Sequence, residues 1–261
     1  MKARALAVVN QKGGVGKTTT AVNLAASLSA SGHDVLLIDL DPQGHATAHV
    51  GVTPETVSGK TVYQVLTGER EIPEVLIELA VQKKHGRLDL VPSDLDLSGA
   101  ELELAGAVGR ERILADALSG VWDRYAFTVI DAPPSFGLLT LNALVAAREV
   151  LVPLQTEFYA LHGMTRLFKT VEMVKKRLNK RLAITGIVAT RCDLRRNLDR
   201  DVLEQVKGHF KKLVYETVIR PNVALAEAPA HGRTIFDYAA EATGAEDYRN
   251  LTREVLGRVA A

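Results

Sequence analysis

The stretch Val8 to Asn23, VVNQKGGVGKTTTAVN, places two lysines five residues apart around a glycine-rich turn. Lys17 follows Gly16 and precedes Thr18, the Gly-Lys-Thr end of a phosphate-binding loop. Gly13, Gly14 and Gly16 let the backbone approach phosphate oxygens and aim N–H groups at them. A helix opening at Thr18 would add the positive end of its dipole. Lys17 is then placed to bridge β- and γ-phosphates and the Thr18 hydroxyl to ligate Mg²⁺, with Val15 and Thr19 completing the stretch assigned to the nucleotide. Lys12 is the anomaly. The ordinary pattern has a glycine five residues before Gly16, where this chain has Gln11, and it has no second cation beside it.

Two further motifs supply carboxylates. In LLIDLDPQG, Asp39 ends an apolar run and Asp41 begins a turn marked by Pro42 and Gly44. Facing a phosphate loop, such a pair can position water or a metal-bound water; the plainer alternative, strongest for Asp39, is that it caps the turn. In FTVIDAPPS, Asp131 follows a β-branched run, as a Mg²⁺-side carboxylate does in these sheets. Read from the residues, Lys17 and Asp41 are the catalytic candidates, and the expected metal set is Thr18, Asp41 and Asp131.

These residues need a scaffold that brings strand ends together. ALAVVN, VLLIDL, LDLVPS, AFTVIDAP, EVLVPLQ, LAITGIVAT and VYETVI read as buried strands. Amphipathic segments at Thr19–Ser31, Gly99–Leu118, Thr140–Ala147, Tyr159–Leu178 and Leu198–Leu213 lie between most of them. The alternation predicts an α/β fold: a single domain over 1–261 with a mainly parallel twisted sheet and helices on both faces. Ligands of such sheets bind beyond the carboxyl ends of the strands, where all three motifs fall.

Composition narrows the function. The 261 residues carry a formal charge of +1 with 47% apolar residues, so any surface for nucleic acid must be local. One cysteine, Cys192, fits a reducing cytosol, a buried thiol and no disulfide framework. No signal peptide is visible, and the apolar stretch NALVAAREVLVPL is interrupted by Arg148-Glu149, too short to span a bilayer. The expected location is cytoplasmic.

The three motifs, with LTLNAL, ALHGM and AEAPAHG, make nearly the whole chain resemble the ParA/Soj family of deviant-Walker ATPases, relatives of MinD. The resemblance implies an ATP- and Mg²⁺-dependent ATPase that dimerises around nucleotide, with Lys12 reaching across to the partner's phosphates. It implies that Asp41 helps place the attacking water, that Glu157 approaches the partner's nucleotide, and that Pro221 and Asn222 lie near the adenine. It further implies chromosome or plasmid partition: a homodimer on non-specific duplex DNA, nucleoid-associated, released when a ParB-like activator stimulates hydrolysis. The alternative within the resemblance is a MinD-like or ParA-like positioning ATPase for another cargo, acting on membrane or an adaptor rather than a centromere complex. The absence of an extra N-terminal helix-turn-helix points to the short form. An iron–sulfur reductase of this fold would need two cysteines per subunit, and no substrate residues of a metabolic ligase are evident.

Two basic stretches carry the expected DNA side. Residues 166–181 hold seven basic residues against Glu172, and 191–212 hold seven against four acids. The candidates are Arg195 and Arg196, the first matching the family's DNA-contacting arginine, with Lys175, Lys176 and Lys211. One departure stands out: the chain reads RPNVALAEAP, so Ala224 occupies the place of a family arginine and Arg220-Pro221 are transposed. Two weaker signals remain. His45 and His49 share a helix face but have no third metal ligand nearby. The C-terminal stripe Tyr248, Leu251, Val255 and Val259 predicts a helix docked on the core rather than laid on a membrane.

Overall fold

The structure is a computed structural model that describes residues 3–80, 86–157 and 160–258. Eight strands form one sheet: β1 (Arg4–Val8), β2 (Val35–Asp39), β3 (Ile77–Glu78), β4 (Leu88–Val91), β5 (Phe127–Asp131), β6 (Glu149–Gln155), β7 (Ala183–Thr190) and β8 (Val214–Ile219). Their order is β3-β4-β2-β5-β1-β6-β7-β8, and only the β3–β4 pairing is antiparallel. From central β1 the chain winds first towards β2 and later towards β6. The loop after β1 therefore opens at the point where the winding reverses, the crevice in which such sheets hold ligands.

Side-chain alternation sorts the two layers. Leu6 and Val8 of β1, Val35 and Leu37 of β2, and Phe127 and Val129 of β5 pack on helix α1 (Lys17–Ala30) and the helix Thr243–Gly257. Ala7, Leu36, Ile38 and Ile130 face the other way, against Leu139 and Ala143 of the helix Leu138–Ala146 and Leu167, Val171 and Val174 of the helix Ala160–Arg177. Each fully buried Leu, Ile or Val is worth about 1.5–3 kcal/mol, so both faces are strongly fixed in register.

The same parity aims the acids. Asp39 and Asp131 are register partners on β2 and β5, and Val8 of β1 is in register with Asp131. Counting by twos from Leu37 and Val129 puts both carboxylates on the α1 face, beneath the first turn of α1. A slip of one residue would turn them to the opposite layer.

Several expectations need correction. The stretch 99–118 is not one helix: it divides into Leu97–Glu103, single 3₁₀ turns at Leu104–Gly106 and Arg110–Arg112, and Ile113–Leu118. Gly109 has φ +74°, which a continuing right-handed helix does not allow. Helix α1 opens at Lys17 rather than Thr18, and the predicted helix 198–213 is Asn197–Phe210 followed by a 3₁₀ turn. The two-residue edge strand β3 is too short to leave a period in the sequence. Tyr159, where a helix start is expected, lies outside the described residues. Tyr248, Leu251 and Val255 are buried against the core, as the C-terminal stripe predicts; Val259 lies outside the described residues. No helix among the described residues is long and apolar enough to cross a membrane.

Candidate functional site

The glycine-rich loop is held by three hydrogen bonds. Asn10 donates through Nδ2 to the Pro153 carbonyl at 2.7 Å, while its Oδ1 accepts from the Lys12 backbone N–H at 3.0 Å. The Thr190 hydroxyl donates to the Val15 carbonyl at 2.8 Å, tying the loop to the end of β7. Gly14 and Gly16 have φ of +76° and +83°, a conformation that strains any residue with a Cβ. Gly13 and Gly14 are exposed, and a Cβ on either would meet nothing within 4 Å, so the loop leaves a cradle of open space over its backbone N–H groups. At the head of α1 there is no side-chain cap and no acid in the first turn, which leaves its first N–H groups for an anion.

The two lysines diverge. Lys17 is 7% exposed, and burial lowers its pKa while Asp131 and Asp41 act to raise it. Lys12 is about half exposed and makes an ion pair with the equally exposed Glu157 at the end of the β6 loop. One cation points into the cradle and the other stands outside it, on the protein surface.

The carboxylates also differ. Asp39 is satisfied within the fold: its Oδ2 accepts from the Thr47 backbone N–H at 2.8 Å and the Thr47 hydroxyl at 2.7 Å, and its Oδ1 from the Asp41 N–H at 3.2 Å. It is a capping residue with a carboxyl pushed up by burial to about 6. Asp41 caps its turn through the Gln43 N–H at 3.0 Å, and its carbonyl accepts from the Ser93 hydroxyl. Asp131 is wholly buried, and neither carboxylate oxygen has a well-formed hydrogen bond, the Thr18 hydroxyl giving only a weak one. Burial first, then neighbouring Asp39, hold its pKa well above the ordinary value, against the opposing pull of Thr18 and Lys17. A buried acceptor pair left without well-formed hydrogen bonds is costly. A divalent cation between Asp131 and the Thr18 hydroxyl would satisfy it, and the hard oxygen donors suit Mg²⁺.

Beside the loop, a cleft of about 520 Å³ is lined by Gly14, Gly16, Thr19, Pro221, Asn222 and Leu225 among others. Pro221 and Asn222 thus fall next to the phosphate cradle. The Asn222 side chain caps the short helix Val223–Glu227 by accepting from the Leu225 N–H and donates to Thr243 Oγ1 at 2.8 Å, so most of its bonding capacity is committed. Arg220 is committed too, donating through Nε to Asp247 at 3.0 Å and pairing with Glu246. Ala224 packs against the core.

The basic candidates do not form one patch. Arg195 and Arg196 precede the helix Asn197–Phe210, at the sheet edge that carries the loop. Lys175 and Lys176 end the helix Ala160–Arg177, and Lys211 follows Phe210, all at the far edge. Fourteen helical residues separate the two groups, about 20 Å at 1.5 Å per residue. Phe168 and Phe210 stack at 4.7 Å between their ring centres, joining the two basic helices. Arg195 is bidentate to Asp193 at 2.9 and 2.8 Å, which holds that carboxyl down at about 2.

Other residues resolve simply. His45 is exposed and His49 buried, and no group of three metal-ligating residues exists among those described. Cys192 is a buried thiol whose pKa burial raises. Asn10, Thr190 and Arg191 were missed by sequence reading. Their only signal is position, at the ends of β1 and β7, level with the acids.

Fold and loop together define a doubly wound P-loop protein. A family profile, the AAA domain, matches residues 3–184. The sporulation initiation inhibitor Soj of Bacillus subtilis is 45% identical over 250 residues, covering 96% of this chain and 97% of that protein. The chromosome partitioning protein ParA of Myxococcus xanthus is 45% identical over 255 residues, covering 98% and 88%. The chain belongs to the ParA/Soj family. Among solved structures, cobyrinic acid a,c-diamide synthase from Mycobacterium smegmatis, with bound ATP analog and magnesium, superposes with TM-score 0.86 at 36% identity, covering 98% and 97%. The cell division ATPase MinD of Pyrococcus furiosus, 24% identical with TM-score 0.79, shares the fold.

Proposed function

We infer that the chain is a Mg²⁺-dependent partition ATPase whose ATP-bound homodimer holds duplex DNA and lets go on hydrolysis. The observation that carries this reading is the division of labour between the lysines. Lys17 is buried in the cradle beside Asp131 and Asp41, where it can only serve its own subunit's phosphates. Lys12 is outside, paired with Glu157 on the surface, where a second subunit can present its nucleotide. Phosphoryl transfer is accelerated chiefly by positive charge placed on the developing anion, so supplying that charge from a partner ties hydrolysis to dimerisation.

Thr18 and Asp131 would hold the magnesium, which neutralises phosphate charge when bound. Asp41, at the mouth of the cradle, positions the attacking water. Pro221 and Asn222 border the adenine, and Glu157 faces the partner's nucleotide. The partition role is supported by Soj and ParA relatives matched over nearly their whole lengths. Arg195 and Arg196 lie on the nucleotide edge, where dimerisation would set two copies side by side; Lys175, Lys176 and Lys211 extend the track at the far edge. A ParB-like activator is the expected partner and the nucleoid the expected location. The membrane alternative is disfavoured by the burial of Tyr248, Leu251 and Val255.

Light scattering with Mg-ATP tests the reading. Lys17→Ala should bind no ATP. Lys12→Ala should bind ATP yet remain monomeric, and Asp41→Ala should accumulate as a dimer. Dimerisation of Lys12→Ala as complete as that of the parent chain would refute the cross-subunit role.

A further inference from the structure

Arg191 sits at the mouth of the nucleotide cleft, not on the basic helix with which its sequence position groups it. Its backbone has φ +50°, one of two such non-glycine residues among those described. That conformation is unfavourable for an arginine and persists only where the surroundings impose it. They do so on both sides. Thr190 is anchored through its hydroxyl to the Val15 carbonyl, and the N–H of buried Cys192 donates to the Ile219 carbonyl at 3.1 Å. Between these two fixed points Arg191 is turned out to line the cleft with Gly14, Gly16, Thr19 and Pro221.

The guanidinium is also uncommitted. Arg220, the other arginine lining the cleft, is consumed by Asp247 and Glu246. Among the described residues Arg191 has no hydrogen bond or ion pair at all. An exposed arginine without a partner is ordinary on a surface helix. Held in a strained backbone, over a cleft that continues a phosphate cradle, it needs a ligand to explain it.

We propose that Arg191 is a nucleobase-positioning residue: its planar guanidinium packs on the face of the purine while Pro221 and Leu225 give the ring an apolar border. The assignment rests on the nucleotide reading proposed above. Lys17 and the loop N–H groups already serve the phosphates. Of the other groups on that side of the cleft, Asn222 is committed, Tyr248 is buried with its hydroxyl on Thr20, and Ile219, Pro221, Val223, Leu225 and Ala226 offer only apolar contact. An arginine plane suits an aromatic ring face, whereas a lysine ammonium would not stack.

Calorimetry with two probes, Mg-ATP and inorganic tripolyphosphate with Mg²⁺, separates the contributions. Arg191→Ala should weaken ATP binding by about 5- to 30-fold, the range of a desolvated cation–π contact, and leave tripolyphosphate binding unchanged. Arg191→Gly removes the same side chain but relaxes the backbone strain, so it keeps the fold and should show the same selective loss. ATP affinity equal to the parent's in both variants would overturn the proposal. So would a loss shared equally by the two probes, which would make Arg191 a phosphate ligand, or a loss in Arg191→Ala that Arg191→Gly restores, which would make it a loop-shape effect. Failure of the parent chain to bind either probe would instead overturn the nucleotide reading, and this assignment with it.

Discussion

Replacing Asp131 with asparagine should make the empty protein more stable while abolishing its response to magnesium. The Asp131 carboxylate is wholly buried, and neither of its oxygens has a well-formed hydrogen bond. Its pKa is raised well above the ordinary value by burial and by Asp39, even after the favourable pull of Thr18 and Lys17. Ionised Asp131 is therefore a net cost to the unliganded fold. At low pH both folded and unfolded states carry the neutral acid. As pH rises past about 4 the unfolded chain ionises first, so the folded state holds the extra proton and stability falls until the folded carboxyl ionises as well. Each unit of separation costs about 1.4 kcal/mol. An amide of the same shape keeps the polar burial and loses the charge, so the unliganded fold gains stability at neutral pH. For a domain of this size each kcal/mol so gained raises Tm by about 2–4 °C. Conversely, Mg-ATP at a hundred times its Kd should stabilise the parent by about 2.7 kcal/mol, and the part of that gain lost on chelating magnesium should vanish in Asp131→Asn. Differential scanning fluorimetry with and without Mg-ATP and EDTA measures both effects. An Asp131→Asn chain that melts below the parent without ligand, or that keeps the magnesium-dependent shift, would refute the reasoning.

Two other outcomes follow from named groups. His49 is buried with Nε2 unpartnered, and burial lowers its pKa to about 4; the unfolded imidazole takes a proton near 6.5, so stability should be full above that pH and drop by about 3 kcal/mol as pH falls to about 4. Denaturant melts at pH 7 and pH 4.5 should show that His49→Leu flattens this acid limb, and an unchanged slope would remove His49 as its source. Fluorescence anisotropy with a random duplex should show ATP-dependent, steeply salt-sensitive binding, with Arg195→Ala or Arg196→Ala lowering the log–log salt slope by about 1 per lost phosphate contact in each subunit, without loss of ATP binding. Equal DNA binding with and without ATP would turn the reading towards a non-nucleoid cargo.

The sequence alone determined the phosphate loop, because Gly13, Gly14, Gly16, Lys17 and Thr18 are contiguous and their conformational demands are local. It determined seven of the eight strands for a similar reason: buried parallel strands read as unbroken β-branched runs, and a two-residue edge strand at Ile77–Glu78 leaves no run to read. It marked Asp39, Asp41 and Asp131 as strand-end acids and read turn-capping most strongly for Asp39, but could not show which of them the fold satisfies. Only the fold did that, by spending Asp39 on Thr47 and leaving Asp131 without a well-formed hydrogen bond, since satisfaction of a carboxylate depends on groups far away in the chain. Charge counting joined Arg191, Arg195 and Lys211 into one basic stretch. The helix between them then carried Arg195 and Lys211 to opposite edges of the sheet and left Arg191 in the cleft. Charge composition is additive along a chain, whereas the position of a charge is set by 1.5 Å per helical residue and by which strand end the chain has just left.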